Sequence, residues 1–166
     1  MFESGRFGVG SEQIRVFVSY DREHDVDLHD RLVEQSSKSA TGFEVSARSR
    51  ARAAADVWDE GLRREIRDAD EVIIICGEHT ECSERMATEL RIAQEERRPY
   101  FLLWGRRELA CTKPTTAKPA DAMYSWTWEI LQSQILTIRR GAQSSEGLAG
   151  LSPAKATPKS GLPPPR

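Results

Sequence analysis

Two aspartates follow the first apolar segment of the chain, and their carboxylates are the first candidates for chemistry. Asp21 and Asp25 could bind Mg²⁺ for transfer of a phosphoryl group to a side chain. Such a receiver site needs an aspartate after the central strand and a lysine after the next one. The sequence has CG at 76–77 and WGR at 104–106 in these places. A phosphoryl receiver is therefore disfavoured.

Motifs for metals and cofactors are equally incomplete. His24 and His29 are five residues apart, so they do not share a helix face, and the HExxH pattern of zinc enzymes is absent. The glycine-rich stretch 5–10 precedes the first apolar segment, whereas a phosphate-binding loop would follow it. The acidic run at 21–25 would also repel the phosphate of a flavin. We predict no metal and no bound cofactor.

Glu89 is the other carboxylate of interest. Met86, Leu90 and Ala93 repeat at helical spacing, which places Glu89 beside an apolar stripe, at the border between core and solvent. A glutamate in such a place is usually a solvated flank residue. Its position alone therefore assigns it no function.

The elements that position these residues follow from hydrophobic spacing. Four segments have the composition of β-strands, at 14–20, 43–45, 71–76 and 100–104. Helical spacing indicates helices over 21–37, 56–68, 86–98 and 123–140. Alternation of strands and helices predicts a flavodoxin-like, doubly wound α/β sheet of four to five parallel strands.

In such sheets ligands bind beyond the carboxyl ends of the strands. That rule selects three loops here, at 19–25, 46–55 and 77–83.

Composition limits the number of domains and the kinds of partner. With 166 residues, 39% hydrophobic and 30% charged, the chain has the size and balance of one soluble domain. We expect a flexible segment at 1–13, the domain at 14–140 and a disordered tail at 141–166, where five of the eight prolines lie. The net charge of -2 disfavours nucleic acid as a partner. No apolar run approaches a membrane span of about 20 residues, and no signal peptide is evident, so we expect a cytoplasmic protein.

Three segments together resemble the TIR domain family: IRVFVSYD at 14–21, DEVIIICG at 70–77 and SERMATEL at 83–90. The last has a serine, five residues and then Glu-Leu, the spacing that places the NAD-cleaving glutamate of TIR enzymes on the third helix. The turn GEHTECS at 77–83 and the run AQEERRPYFLLW at 93–104 are similar to bacterial TIR-like proteins related to the Thoeris antiphage signalling component.

The resemblance implies that NAD is a substrate and that Glu89 is the catalytic carboxylate. Because nicotinamide carries the positive charge before it departs, the reaction needs no general acid, and one carboxylate facing the developing oxocarbenium ion suffices. Substrate contacts are expected from the strand-end loops and the start of the third helix: Ser19, Tyr20, Asp21, Ser46, Arg48, Ser49, Gly77, Thr80, Ser83 and Arg85. For Ser83, capping of the helix is an equal alternative, and for Tyr20, covering of the core.

The resemblance also implies partners. A Thoeris-like protein makes a nucleotide signal, linear or cyclic, that acts on a separate effector protein. TIR enzymes commonly self-associate, so a neighbouring protomer is expected to complete the site through the loop at 46–55.

Two departures from the family pattern keep alternatives open. Many TIR enzymes have a tryptophan where this chain has Arg85, and relatives carry an aspartate and an aromatic residue near Ala47 and Arg48. These changes imply either a different way of binding the adenylate, in which arginine contacts its phosphate, or a lost activity. The alternatives are a non-catalytic TIR interaction module and an unrelated flavodoxin-like binding protein or receiver.

Overall fold

The computed structural model describes residues 13–38, 42–46, 58–135 and 137. Its centre is a parallel sheet of five strands in the order β2-β1-β3-β4-β5. The strands are β1 Ile14–Ser19, β2 Phe43–Val45, β3 Glu71–Cys76, β4 Tyr100–Trp104 and β5 Met123–Ser125. This is the flavodoxin-like order, in which the chain changes direction across the sheet between β1 and β3. The predicted fold class is confirmed.

Helices cover both faces of the sheet. They are α1 Val26–Lys38, α2 Trp58–Asp68, α3 Glu84–Glu95 and α4 at 128–135, with a short 3₁₀ turn at Thr80–Cys82. Buried side chains of α1 and α4 share one apolar cluster, and those of α2 and α3 share the other. The molecule therefore has three layers, with the sheet in the middle.

The central strand, β3, is buried along its whole length. Its side chains alternate between the two clusters: Ile73 and Ile75 pack towards α1 and α4, whereas Val72 and Ile74 pack towards α2 and α3. A β-branched run without polar interruptions is what a strand covered on both faces requires.

The first helix begins later than predicted. Residues 21–25 form a turn, in which the Asp25 N–H donates to the Asp21 carbonyl at 2.8 Å, and α1 starts only at Val26. The polar residues at 21–24 that helical spacing had included therefore stand at the carboxyl edge of the sheet.

The prediction of one helix over 123–140 is wrong at its beginning. Met123–Ser125 instead forms β5, which pairs with Leu102–Trp104 of β4. The helix begins after Thr127, whose carbonyl accepts from the Leu131 N–H at 3.1 Å and whose hydroxyl accepts from the Ile130 N–H at 3.2 Å. The unpaired backbone edge of β4 is satisfied by this short strand, an interaction that helical periodicity does not register.

Several predictions fall outside the described residues. These are the ends of the chain at 1–12 and 138–166, and most of the loop at 46–55 with its Arg48 and Ser49. Within the described part, no helix has the length and apolar character needed to cross a membrane.

Glu71, the first residue of β3, is a carboxyl group that forms no ion pair among the described residues. It is only 1% exposed, and in the same part of the chain its Oε2 finds no hydrogen-bond partner. Burial raises the pKa of Glu71 to about 8. In the folded protein, the side chain therefore keeps its proton at neutral pH.

This protonation makes a prediction for stability. Unfolded chains lose the Glu71 proton near pH 4.5 and folded ones only near pH 8, so the folded state binds more protons between these values and stability falls as pH rises through them. Glu71→Gln removes this contribution. Urea unfolding should show a stability gain over wild type that grows from about pH 5 to about pH 8.

The exposed Glu78→Gln change on the following loop is the matched control for loss of one carboxylate, and the gain in Glu71→Gln at pH 8 should exceed any change in this control. Parallel pH curves for wild type and Glu71→Gln would contradict the assignment.

Candidate functional site

An open cleft lies where the chain reverses direction across the sheet, between the loops that follow β1 and β3. Its volume is about 520 Å³, within the range of small-molecule sites. The residues that line it are mostly of polar or charged type: Asp21, Arg22, Glu23, His24, His79, Cys82, Ser83, Glu84 and Arg85. Two of the three predicted loops thus meet at one place, as the rule for parallel sheets requires.

Glu89 lies one side chain away from this cleft. Its Oε2 accepts a hydrogen bond of 2.5 Å from the Ser19 hydroxyl, and its Oε1 accepts one of 2.7 Å from the Arg85 Nε. Alternation along β1 turns Ser19 to the same side as Phe17, towards α3, and Arg85 stands one helical turn before Glu89. Strand and helix together therefore hold both carboxylate oxygens.

The prediction that Glu89 lies at the border of core and solvent is wrong. The residue is 2% exposed and falls inside the buried face of α3, with Met86 and Ile92 three residues away on either side. An ionised carboxylate tolerates such burial only with charged or hydrogen-bonding partners, which Ser19 and Arg85 supply.

Two opposing effects act on the protonation of Glu89. Burial raises its pKa. The pKa is lowered by the charge of Arg85, the hydrogen bond from Ser19 and the more distant charge of Arg22. Burial is the stronger effect, so the net shift is upward. Arg85 thus opposes the effect of burial on the pKa of Glu89 more than any other neighbour does.

Imidazoles and a carboxylate surround the mouth of the cleft. Asp21 accepts from the Glu23 N–H at 2.9 Å, and its Oδ2 lies 2.8 Å from the His24 Nδ1. Burial works to raise the pKa of Asp21, but these contacts outweigh it and lower the pKa. The contact with Asp21 raises the pKa of His24, whose ring packs 4.2 Å from that of His79. Asp21 therefore fixes the loop after β1, and the ring contact joins that loop to the one after β3.

A second ion-paired cluster lies beside the cleft, around a neighbouring cavity that shares His24 and His79 with it. Arg106 donates to the Asp25 Oδ1 at 3.0 Å, to the Asp27 Oδ1 at 2.8 Å and to the His24 carbonyl at 3.0 Å. The Asp25 Oδ2 has no hydrogen-bond partner and lies against Gly77, where an added Cβ would come within 2.0 Å of it. Only glycine fits at position 77 beside this carboxylate.

The structure brings Ser19, Asp21, Ser83 and Arg85 to the cleft or to Glu89. Ser83 is the N-cap of α3, where its hydroxyl accepts from the Met86 N–H at 3.3 Å, so the capping role is present. Contacts of these residues with a substrate remain predictions.

Other predicted residues have structural positions. Tyr20 lies in the α1-side cluster and stacks on His29 with ring centroids 4.3 Å apart, so of its two roles the covering of the core is seen. Thr80 is buried, and its hydroxyl accepts from the Gly77 N–H at 2.8 Å, which closes the turn after β3. The Ser46 N–H donates to the Val16 carbonyl, so Ser46 lies beside Val16, before the carboxyl end of β1.

Sequence reasoning missed the joint role of Asp25 and Arg106. From the sequence, Asp25 is a candidate only as a metal ligand, and Arg106 stands out only because a receiver would have a lysine there. The two are 81 positions apart, and no local pattern links them. In the described part of the chain, no group of three or more His, Cys, Asp or Glu side chains could hold a metal ion.

Comparison with known proteins finds similarity in fold but not in sequence. The sequence matches no protein-family model and no curated protein. The TIR domain of the Toll-related receptor TRR-2 from Hydra magnipapillata aligns with a TM-score of 0.52 at 13% identity, over 78% of this chain and 95% of that one. A prokaryotic SEFIR domain aligns with a TM-score of 0.47 at 18% identity, over 92% and 98% of the two chains. The first alignment shows that the chain has the fold of a TIR domain.

The packing of Gly77 against Asp25 makes a prediction about stability. Gly77→Ala should destabilise the protein by about 1–3 kcal/mol, because the new methyl group collides with a buried, ion-paired carboxylate. Urea unfolding of Gly77→Ala, Asp25→Ala and the double variant measures the coupling.

Removing the Asp25 carboxylate should relieve the clash, so the double variant loses less stability than the two single losses added together. Strict additivity, or no loss in Gly77→Ala, would refute this account of the glycine.

Proposed function

We propose that this protein cleaves the bond between nicotinamide and ribose in NAD, with Glu89 as the catalytic carboxylate. The observation that carries the proposal is a carboxylate 2% exposed, held by Ser19 and Arg85 beside a polar cleft at the reversal point of the sheet. Buried carboxylates with shifted pKa values next to a cleft are typical of catalytic sites. The resemblance of SERMATEL at 83–90 to the segment that carries the TIR glutamate supports the same assignment.

The chemistry needs only a negative charge in the right place. The bond from the anomeric carbon to the pyridinium nitrogen breaks, and its electron pair goes to nitrogen, which leaves as neutral nicotinamide. The positive charge that remains on the ribose is stabilised by the Glu89 carboxylate in a buried, weakly screened setting. Water then bonds to the anomeric carbon and releases a proton to solvent, which gives ADP-ribose. Capture by a group of the same molecule, with water excluded, gives a cyclic product.

The product is proposed to be a signal. The turn at 77–83 and the run at 93–104, similar to proteins related to the Thoeris antiphage component, support a role in antiphage defence. In that role the nucleotide acts on a separate effector protein, and self-association of the domain accompanies activity.

One observation favours a second function, that of a non-catalytic interaction module. Arg85 neutralises Glu89 at 2.7 Å, and an ion pair that ties a helix together can be purely structural. In that case the paired change Arg85→Gln with Glu89→Gln alters stability alone, and wild type shows no NAD turnover at any protein concentration.

Glu89→Gln tests the proposed function directly. The amide keeps the shape of the side chain but loses the negative charge, so NAD cleavage should fall by at least about 100-fold. Stability should fall as well, by about 1–2 kcal/mol, because Arg85 and Ser19 lose an ionised partner. Mass spectrometry of nicotinamide and the remaining nucleotide measures turnover, and urea unfolding measures stability.

Glu95→Gln is the matched control. Glu95 lies on the same helix, half exposed, and pairs with Arg91 at 3.1 Å, so its loss should leave turnover unchanged. Full activity in folded Glu89→Gln would remove Glu89 from the mechanism, and inactive wild type would favour the interaction module.

A further inference from the structure

Arg85 separates the carboxylate from the cleft. Its side chain lines the cleft and is 21% exposed, whereas Glu89, to which its Nε donates, is 2% exposed and does not line the cleft. A ligand in the cleft therefore meets Arg85 before it meets Glu89.

In this arrangement the carboxylate is not ready for the proposed reaction. Its charge is neutralised by a guanidinium at 2.7 Å, and a neutralised carboxylate offers little stabilisation to a developing cation. The Arg85 side chain also occupies the approach to Glu89 from the cleft. Reaction requires Arg85 to exchange Glu89 for another anion.

We propose that Arg85 selects substrates that carry a diphosphate: it leaves Glu89 for phosphate oxygens in the cleft and thereby frees the carboxylate. The inference rests on the proposed function for the identity of the substrate, but the exchange of contacts is a property of Arg85 itself. Arg85 is a positioning residue here, because it acts on the reacting bond through Glu89.

The exchange conserves ion pairs. In the resting protein Arg85 pairs with Glu89. With a dinucleotide bound, Arg85 pairs with the diphosphate and Glu89 with the positively charged nicotinamide riboside portion, so no buried charge is left alone. A guanidinium binds phosphate through two parallel N–H bonds, a geometry at least as favourable as its bond to the carboxylate. A nucleoside without phosphate offers no anion for this exchange.

The other charges around the cleft are compatible with this exchange of partners by Arg85. Arg22 adds a second cation to the lining, and the contact between His24 and Asp21 favours the protonated form of His24. The Asp21 carboxylate is already bound within its own loop. Glu23 and Glu84 are exposed, where solvent and salt screen their repulsion of a phosphate.

Inorganic pyrophosphate tests the exchange without any turnover. Calorimetric titration should show binding to wild type and at least about tenfold weaker binding to Arg85→Gln. In wild type, pyrophosphate should raise the pKa of Glu89, followed by NMR of ¹³C-labelled glutamate, because the opposite charge moves away. In Arg85→Gln the pKa of Glu89 is already raised, and pyrophosphate should not change it.

Arg91→Gln is the matched control: Arg91 also pairs with a glutamate four residues later on α3, but on the exposed face. The affinity of Arg91→Gln for pyrophosphate should match that of wild type within about twofold. Arg85→Lys, which keeps a cation beside Glu89 but lacks the planar fork, should bind with intermediate affinity and covers the case of a poorly folded Arg85→Gln. Equal pyrophosphate affinity in wild type and in the folded Arg85 variants, or binding that leaves the pKa of Glu89 unchanged, overturns the inference.

Turnover measurements distinguish a failure of this inference from a failure of the proposed function. Wild type should prefer NAD over nicotinamide riboside by at least about 100-fold in kcat/KM, and Arg85→Gln should lower that preference by at least about tenfold. If wild type cleaves neither compound, the proposed function fails, and the pyrophosphate results still decide the exchange. If wild type cleaves both compounds equally well, the function stands and the selection by Arg85 is refuted.

Discussion

The burial of one carboxylate governs this site. Glu89 is 2% exposed, and a charge so far from water is tolerated only if partners replace its hydration. The Ser19 hydroxyl and the Arg85 guanidinium do so, one from the end of β1 and one from the first turn of α3. The Ser19 contact joins α3 to β1, beside the apolar packing of Met86, Leu90 and Ile92, whereas the Arg85 contact lies within α3 itself.

A second set of charges, with Asp25 buried at its centre, links the neighbouring loops. Arg106, from beyond β4, ties together Asp25 and Asp27 at the start of α1. Asp25 in turn lies against Gly77, the residue that follows β3. The carboxyl ends of the neighbouring strands β1, β3 and β4 are thereby linked beside the cleft.

The strands were predictable because their signal is local. Residues 71–76 form an unbroken apolar run, and a run of that kind fits only a strand covered on both faces. β5 was missed for the opposite reason. Met123 and Tyr124 are partly or largely exposed, and the segment is a strand only because β4 offers it an unpaired edge. The late start of α1 has a similar cause, since a turn closed by Asp21 takes up residues that helical spacing would include.

Hydrophobic periodicity is enough to predict the layered parallel sheet and the loops at the strand ends, and Glu89 is singled out by the resemblance of the segment 83–90 to the TIR family. Periodicity does not show that Glu89 is buried, that Ser19 faces it while Tyr20 packs into the opposite layer, or that Arg85 covers it, and these features follow from the tertiary structure. Burial and pairing depend on side chains up to 70 positions apart, and such distances close only when β1 and α3 pack together.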